Sequence, residues 1–265
     1  MAPRGESKLA QATAVRKHAN PVTLTVLGSG DAFCSGGRLN AGYVIRAKDA
    51  VVLIDAGPTI LAGMKRCGID PSELRLVLIT HLHGDHFAGL PFLILDYLYQ
   101  TTHFKGLTIA GPRNLASRVW RLFRAMYPRT NPQPVARKLE FVVLRPDERA
   151  RFGKVIVESL RTPHTVGDVS LALKVTVAGK SLVFSGDTGW TDELLDFSAG
   201  SDLTLLECTQ YDGVGGTHLS YAQIIKNVNR FSTRRLILTH LGQDVLPHSD
   251  ELAVETAFDG MMLTV

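Results

Sequence analysis

Four side chains that bind metal ions well follow directly after a short apolar run. Residues 76–79 (LVLI) are apolar throughout, which is typical of a strand buried on both faces. The next seven residues, 80–86 (THLHGDH), carry the four donors: His81, His83, Asp85 and His86. Neutral imidazole nitrogens and carboxylate oxygens are good zinc ligands. Packing alone gives no reason to collect them at a strand end, so the segment predicts a metal site.

Apolar runs elsewhere in the chain predict two series of strands with helices between them. The first series begins after Pro21, and the second follows a break in the helical pattern at residues 131–134. The strand end at residues 79–81 (ITH) is matched by residues 238–240 (LTH). We therefore expect an α/β fold in which two sheets pack face to face with helices outside, a four-layer αββα sandwich of two similar halves.

The expected domain organisation is a single folded unit after a short tail. Residues 1–20 are polar, basic and unpatterned, so we expect a disordered basic tail there. We expect residues 21–265 to form one domain with halves at about 21–130 and 135–265. With 45% hydrophobic residues in 265, the chain is long enough to bury a large core.

The sequence shows no signal for a membrane or for secretion. No window approaches the roughly 18 consecutive apolar residues of a membrane-spanning helix, and the first twenty residues lack the apolar stretch of a secretory signal. We therefore expect a cytoplasmic protein with no membrane partner. The cysteines, Cys34, Cys67 and Cys208, are too widely spaced for a disulfide framework or a paired thiolate zinc site, so we expect reduced packing residues.

Basic residues are concentrated in one acid-free stretch. Residues 97–139 contain no Asp or Glu, although the formal net charge of the whole chain is only +4. A helix is predicted there, with Arg121 and Arg124 opposite its apolar face and Arg118 on its flank. These arginines could contact phosphates with Tyr127 stacking on a base, but a solvated helix face is the commoner explanation and the one we favour.

The donor segment resembles the His-x-His-x-Asp-His signature of the metallo-β-lactamase superfamily, and further positions match that family in order. The resemblance implies a dinuclear site in the metallo-β-lactamase fold. One ion would be held by His81, His83 and His164. The other would be held by Asp85, His86 and His240. Asp187 would bridge both ions, and Asp55 would brace the loop.

The residues by themselves leave simpler alternatives open. His164 could cap a loop, Asp187 could be an ordinary turn residue, and His240 could be a buried core histidine. Their joint order in the chain favours the metal site. The expected cofactors are two divalent ions, with Zn²⁺ as the default and Mn²⁺ or Fe²⁺ as alternatives. A water between the ions would lose a proton to become the attacking hydroxide, which Asp85 could orient.

Within the superfamily, two later segments look like the ribonuclease Z group. These are residues 207–209 (ECT) and 216–220 (GTHLS). The resemblance implies that His218 protonates the departing oxygen as general acid and that Glu207 orients it. Alternatively, His218 is a polar residue that precedes a helix cap. Many enzymes of this group carry a flexible tRNA-binding arm between the residues matching His164 and Asp187, but here only a hairpin fits that interval.

The leading functional hypothesis is a phosphodiesterase or ribonuclease Z-like nuclease that acts on a small phosphodiester or RNA. The first alternative is a hydrolase of a carboxylic derivative, such as a lactone, thioester or β-lactam, on the same metal residues. The second alternative is a metal-stabilised nucleic-acid-binding or structural protein without turnover. A full set of competent ligands argues against the second alternative. Family resemblance also implies a possible homodimer.

Overall fold

The two predicted series of strands form two seven-stranded sheets. The computed structural model describes residues 21–213 and 216–265, so the predicted tail at residues 1–20 lies outside the described residues. In chain order, the strands are β1 Thr23–Gly28, β2 Gly42–Ala47, β3 Ala50–Ile54, β4 Leu76–Leu78, β5 Leu107–Gly111, β6 Leu139–Val143, β7 Arg149–Phe152, β8 Val155–Arg161, β9 Leu171–Val177, β10 Lys180–Phe184, β11 Leu203–Glu207, β12 Leu236–Thr239, β13 Glu255–Thr256 and β14 Met262–Thr264.

Helices lie between the strands. The α-helices are α1 Ile60–Arg66, α2 Gly84–Phe87, α3 Leu90–Tyr99, α4 Leu115–Met126, α5 Gln133–Ala136, α6 Glu193–Ser198 and α7 Tyr221–Asn227. Short 3₁₀ turns occupy Ser35–Gly37, Pro71–Glu73, Val228–Arg230 and Leu246–His248. Helix α7 begins where the sequence indicates, because the hydroxyl of Ser220 accepts a hydrogen bond from the backbone of Gln223 in a capping box.

The two sheets share one internal pattern. The first has the order β14-β1-β2-β3-β4-β5-β6 and the second β13-β12-β11-β10-β9-β8-β7. In the first sheet, strands β14, β1, β2 and β3 pair antiparallel, and β3 to β6 pair parallel. In the second sheet, β7 to β10 pair antiparallel and β10 to β13 parallel. Each half therefore changes from antiparallel to parallel pairing at its centre.

Three apolar clusters define the four layers. Leu78 of β4 and Leu205 of β11 contribute to the cluster between the sheets. The opposite face of the first sheet, with Val77, packs against α1, α3 and α4, where Phe123 is fully buried. Leu206 points to the third cluster, against α6 and α7. Because alternate residues of a strand face opposite sides, a strand buried on both faces needs the continuous apolar runs seen in the sequence.

Two strands extend across the boundary drawn between the halves in the sequence. The sequence groups residues 140–144 with the second half, but β6 pairs with β5 in the first sheet. Strand β14 also returns to the first sheet, where Thr264 lies opposite Thr23. The short strands β7, β13 and β14 were not predicted from the sequence.

The segment between His164 and Asp187 contains a plain hairpin and no arm, as its short length predicts. Strands β9 and β10 pair antiparallel, and the turn between them has positive φ at Ala178 and Gly179. All three cysteines are free thiols. Within the described ranges, the helices are too short or too polar to cross a membrane.

Candidate metal centre

The predicted donors meet where the parallel strands of both sheets end. His81 follows β4, Asp187 follows β10 and His240 follows β12. Since parallel strands present their carboxyl ends at the same edge, residues far apart in the chain are gathered there. The backbone is tightly packed at this edge, because a side chain at Gly57 would collide with the carbonyl oxygen of Asp85. Glycine at this position lets the loop after β3 approach the donor loop.

One set of donors combines three imidazoles with one carboxylate. Its members, which we call the first set, are His81, His83, His164 and Asp187. Their donor atoms all lie within 4.8 Å of one another. Nε2 of His164 is 3.0 Å from Nδ1 of His83, and Nε2 of His81 is 3.8 Å from Oδ2 of Asp187.

A second set combines two imidazoles with two carboxylates. Its members are Asp85, His86, Asp187 and His240, again with donor atoms within 4.8 Å. Oδ2 of Asp85 lies 3.1 Å from Nε2 of His86 and 3.4 Å from Nε2 of His240. The second set therefore holds one more carboxylate and one fewer imidazole than the first.

Asp187 belongs to both sets through different oxygens. Its Oδ2 lies 3.7 Å from Nε2 of His164, in the first set. Its Oδ1 lies 3.2 Å from Nε2 of His86 and 3.5 Å from Nε2 of His240, in the second. The side chain is 3% exposed, so both oxygens lie in the interior of the protein. Asp187 therefore joins the two donor sets through its two carboxylate oxygens.

The hydrogen bonds of the imidazoles fit metal binding. Nδ1 of His81, His86, His164 and His240 each has a partner: the Thr80 hydroxyl, Asp55, the Thr217 carbonyl and the Thr209 hydroxyl, respectively. Such partners fix the ring and leave Nε2 free to bind a metal. Within the described ranges, three buried polar atoms of the site have no hydrogen-bond partner: Nε2 of His81, Nε2 of His86 and Oδ1 of Asp187. Because orphaned buried polar atoms are costly, the site fits cations.

Asp55 braces the donor loop, as the resemblance implies. Its Oδ2 lies 2.8 Å from Nδ1 of His86, and its Oδ1 accepts a hydrogen bond of 2.8 Å from the backbone of Thr80. The Thr80 hydroxyl also donates to Oδ2 and lies 3.1 Å from Nδ1 of His81. Asp55 therefore contacts the second set directly and the first set through Thr80.

Two imidazoles of the first set, those of His81 and His164, favour the neutral form. Burial lowers the pKa of His81 well below its ordinary value, and repulsion from His86 lowers it further. Burial also lowers the pKa of His164, although the charge of Asp187 opposes this. A neutral imidazole has a lone pair available, so these rings offer metal-ready nitrogens near neutral pH.

The imidazoles of the second set favour the protonated form. Burial lowers the pKa of His240, but attraction to Asp187 and a hydrogen bond to Asp85 outweigh it and raise the pKa to about 9. The pKa of His86 is raised well above its ordinary value, because attraction to Asp187 and Asp55 outweighs the effect of burial. Burial raises the pKa of Asp85, but its hydrogen bond to His240 and the nearby charge of His86 outweigh this effect and lower the pKa.

A third group lies beside the two sets. Nδ1 of His218 is 2.8 Å from Oε1 of Glu207, and it is 4.0 Å from Oδ2 of Asp187. Glu207 is buried and accepts a second hydrogen bond from the Thr209 hydroxyl. Burial lowers the pKa of His218, but the hydrogen bond to Glu207 and its charge outweigh it, so the pKa is raised.

The structure brings all seven predicted ligands to one place, and Glu207 and His218 lie there as well. Two threonines of the site were not predicted from the sequence. Thr80 links Asp55 to His81, and Thr209 lies 3.1 Å from Nδ1 of His240. Thr80 directly precedes His81, and Thr209 lies two positions after Glu207. A single threonine, however, forms no sequence pattern that would identify it as a residue of the site.

The basic helix does not lead directly into the site. Arg121 and Arg124 of α4 are exposed. Arg118 is half-buried, donates a hydrogen bond of 3.2 Å to the carbonyl of Leu82 and pairs with Asp168. It therefore links the donor loop to the loop that carries His164.

Known proteins share this fold and sequence pattern. The chain is 25% identical over 246 residues to the probable metallo-hydrolase YhfI of Bacillus subtilis, covering 89% of this chain and 94% of that protein. A crystal structure of YhfI, a metallo-β-lactamase fold protein, covers 93% of this chain and all of that one with a TM-score of 0.75 and 21% identity.

Ribonuclease Z proteins are similar as well. Ribonuclease Z of Mycobacterium bovis is 24% identical over 252 residues, covering 86% of this chain and 89% of that protein. The structure of human tRNase Z, short form, covers 92% of this chain and 99% of that one, with a TM-score of 0.72 and 22% identity. These likenesses confirm the metallo-β-lactamase fold and the ribonuclease Z-like sequence pattern, and they support a hydrolase.

A family model matches nearly all of the described chain. Its description is anti-Pycsar protein Apyc1, and the match runs over residues 22–260. That range contains both donor sets and the His218–Glu207 pair. The chain therefore belongs to the anti-Pycsar protein Apyc1 family and has the fold of the metallo-β-lactamase superfamily.

Proposed function

We propose that this chain is a metal-dependent phosphodiesterase with a dinuclear centre. The first and second donor sets each hold one divalent ion, with Zn²⁺ as the expected metal, and Asp187 is shared between them. Bound divalent ions polarise a phosphoryl oxygen and lower the pKa of a bound water, which is the chemistry that such a centre supplies. The two-sided placement of Asp187 supports two ions rather than one.

The observation that carries the choice of reaction is the His218–Glu207 pair. Nδ1 of His218 donates to Glu207, which leaves Nε2 as the atom that can deliver a proton to a departing oxygen. Glu207 is fixed in turn by the backbone of Thr188 and the hydroxyl of Thr209. An alkoxide leaving from phosphorus needs such a proton, so the pair supports hydrolysis of a phosphodiester.

The experiment compares substrates with the metal-loaded protein. Bis(4-nitrophenyl) phosphate, a lactone and a thioester are assayed beside a measurement of metal content. We expect about two divalent ions per chain and hydrolysis of the phosphodiester. Turnover of the lactone or thioester with no turnover of the phosphodiester would contradict the proposed reaction and favour the carboxylic-derivative alternative.

A second assay tests the role of His218. In His218→Ala, hydrolysis of a diester with an alkyl leaving group should fall by roughly 100-fold or more, because an alkoxide needs the proton. In the same variant, the rate of hydrolysis of a diester with a 4-nitrophenolate leaving group should fall much less, because that anion is stable without protonation. His248→Ala, which removes a half-exposed imidazole outside both donor sets, is the matched control. Equal losses with both leaving groups would show that His218 does not act as the acid.

A further inference from the structure

A third group of potential metal donors, Glu207, His218 and His240, adjoins the two donor sets, again with donor atoms within 4.8 Å of one another. Within the described ranges, the buried polar atoms of the centre that lack a hydrogen-bond partner all belong to the first and second sets. The third group differs, because the hydroxyl of Thr209 lies among its donors. Hydrogen bonds within the protein therefore account for this group without an ion.

The Thr209 hydroxyl contacts every member of the third group. Its Oγ1 lies 2.8 Å from Oε2 of Glu207, 3.1 Å from Nδ1 of His240 and 3.3 Å from Nδ1 of His218. The carbonyl oxygen of His240 lies 3.3 Å away as well. One hydroxyl thus touches a ligand of the second donor set and both members of the His218–Glu207 pair, which we call the acid pair.

The hydroxyl has a single proton, and its surroundings decide where that proton goes. Carboxylates only accept hydrogen bonds, and such bonds are short and strong, so the proton goes to Glu207 rather than to the more distant carbonyl of His240. Towards His240 the oxygen of Thr209 then accepts, and Nδ1 of His240 carries a proton. A neutral imidazole of this tautomer has its lone pair on Nε2, the atom of His240 that faces Asp85 and Asp187.

The same proton holds the carboxylate of the acid pair. Oε2 of Glu207 accepts from the hydroxyl of Thr209 and, at 3.2 Å, from its backbone. Oε1 accepts from the backbone of Thr188 and from Nδ1 of His218, both at 2.8 Å. Nδ1 of His218 therefore donates to Glu207 and not to the more distant Thr209. With both oxygens held, the carboxylate keeps the ring of His218 in place.

We propose that Thr209 is a positioning residue that joins the second donor set to the acid pair. Its hydroxyl selects the tautomer of His240 that can bind a cation, and it orients the carboxylate that holds His218. Both His240 and Glu207 are buried, so each would lose a partner that water does not readily replace. The inference rests on the proposed phosphodiesterase function and names one side chain on which both parts of the centre depend.

Metal affinity tests the first half of the proposal without turnover. Thr209→Val removes the hydroxyl at similar volume, and Thr209→Ser keeps it. In Thr209→Val, affinity for the ion of the second set should fall about tenfold, because a ligand loses its hydrogen-bond partner, whereas the other ion should be little affected. Chelator competition measures both affinities, and the second ion is identified as the one that Asp85→Ala releases. Thr209→Ser should restore most of the affinity.

The matched control is Thr204→Val, which removes another buried hydroxyl of β11. This hydroxyl bonds to Ser201 and Thr233, which belong to neither donor set. Circular dichroism checks that each variant folds, and Thr209→Ala replaces Thr209→Val if the latter does not fold. Wild-type affinity for the second ion in the folded variant without the hydroxyl would overturn the proposal. An equal loss in Thr204→Val would overturn it too.

Leaving groups test the second half of the proposal. With saturating metal, the rate for a diester with an alkyl leaving group, relative to one with 4-nitrophenolate, should fall about tenfold in Thr209→Val, because His218 is held less well. The double variant with His218→Ala should show the same ratio as His218→Ala alone, since Thr209 acts through His218. A wild-type ratio in Thr209→Val, or a further loss in the double variant, would overturn the link to the acid pair.

Nuclear magnetic resonance separates this inference from the proposed function. With isotope-labelled histidine, the Nδ1–H signal of His218 is identified by its absence in His218→Ala. We expect this proton to exchange with water faster in Thr209→Val than in the wild type or in Thr204→Val, because Glu207 is held less firmly. Equal exchange in all three would contradict the role of Thr209. If no phosphodiester is hydrolysed, the phosphodiesterase function is contradicted, while metal affinity and proton exchange still decide that role.

Discussion

The two donor sets share one carboxylate but differ in how they carry charge. The first set places three imidazoles around Oδ2 of Asp187, and burial lowers the pKa of His81 and His164 there. The second set places Asp85 beside two imidazoles, and its carboxylates raise the pKa of His86 and His240. Near neutral pH, His81 and His164 of the first set therefore offer unprotonated nitrogens to a cation. In the second set, protons on His86 and His240 partly neutralise the charge of the carboxylates.

Because of this difference, only the second set must release protons when it binds a metal ion. To bind a divalent ion, His86 and His240 of the second set would have to release their protons, whereas His81 and His164 of the first set would already be neutral. The additional carboxylate also makes the second set a harder ligand environment, which suits Mn²⁺ better than an imidazole-rich set does. The two sets should thus differ in metal affinity, in pH dependence and in metal preference.

The largest expected effect comes from the residue that the sets share. Asp187→Ala removes one oxygen from each set, so both ions should be lost or weakened together. Phosphodiester hydrolysis should fall by about 1000-fold or more, because a metal centre contributes several kcal/mol to the transition state. Metal content by mass spectrometry and turnover are measured together. Retention of one full ion in this variant would show that Asp187 serves a single set.

Asp55 and Thr80 allow each set to be perturbed more strongly than the other, because Asp55 contacts His86 directly but His81 only through Thr80. In Asp55→Asn the second set should lose roughly 10- to 100-fold in metal affinity, because the charged partner of His86 is removed. Thr80→Val removes the hydroxyl beside Nδ1 of His81 and should act mainly on the first set. Chelator competition measures both affinities. If the two variants weakened the same ion to the same extent, the separation of the sets would be wrong.

The pH dependence of metal affinity follows from the directions in which the histidine pKa values are shifted. The pKa of His240 is raised to about 9, so its proton competes with metal at every pH below that value. As pH falls from about 9 towards neutrality, affinity of the second set should fall by about tenfold per unit for each proton displaced. The first set should change little over this range, because the pKa of His81 lies below it. Parallel affinity curves for the two ions would refute the contrast.

The smallest effect is expected at Arg118, which joins the loops of the first set. Arg118→Ala removes the contacts to Leu82 and Asp168 and should lower the free energy of unfolding by about 1 kcal/mol or less, because the side chain is partly exposed. Affinity of the first ion should fall a few-fold, as measured by chelator competition. Arg118→Lys should restore part of it, and Arg121→Ala should have no effect.

Much of the centre could be predicted because its ligands follow apolar strands. Residues 81–86 are dense enough to stand out, and a buried strand before them locates their position in a sheet. The distant ligands, such as His164, carry no local signal, and only their order in the family pattern identified them. Their meeting depends on the packing of two sheets, which no short segment encodes.

The repeated Thr-His dipeptide shows the limit of pattern matching. The Thr80 hydroxyl lies beside His81, but the Thr239 hydroxyl lies 2.8 Å from the hydroxyl of Tyr43 instead. His240 has φ of 53°, in the left-handed region, and its Nδ1 is met by Thr209. The two Thr-His dipeptides thus make different contacts, because the backbone turns differently after the two strands.

The pairing of β14 with β1 has a consequence for biosynthesis. Thr23 and Thr264 lie opposite each other in the first sheet, although nearly the whole described chain separates them. A polypeptide still emerging from the ribosome therefore exposes the open edge of β1 until residue 264 is available. Contacts of such long sequence separation fold slowly, and an unpaired edge can recruit other strands. Assistance from chaperones during synthesis would protect this edge until the sheet closes.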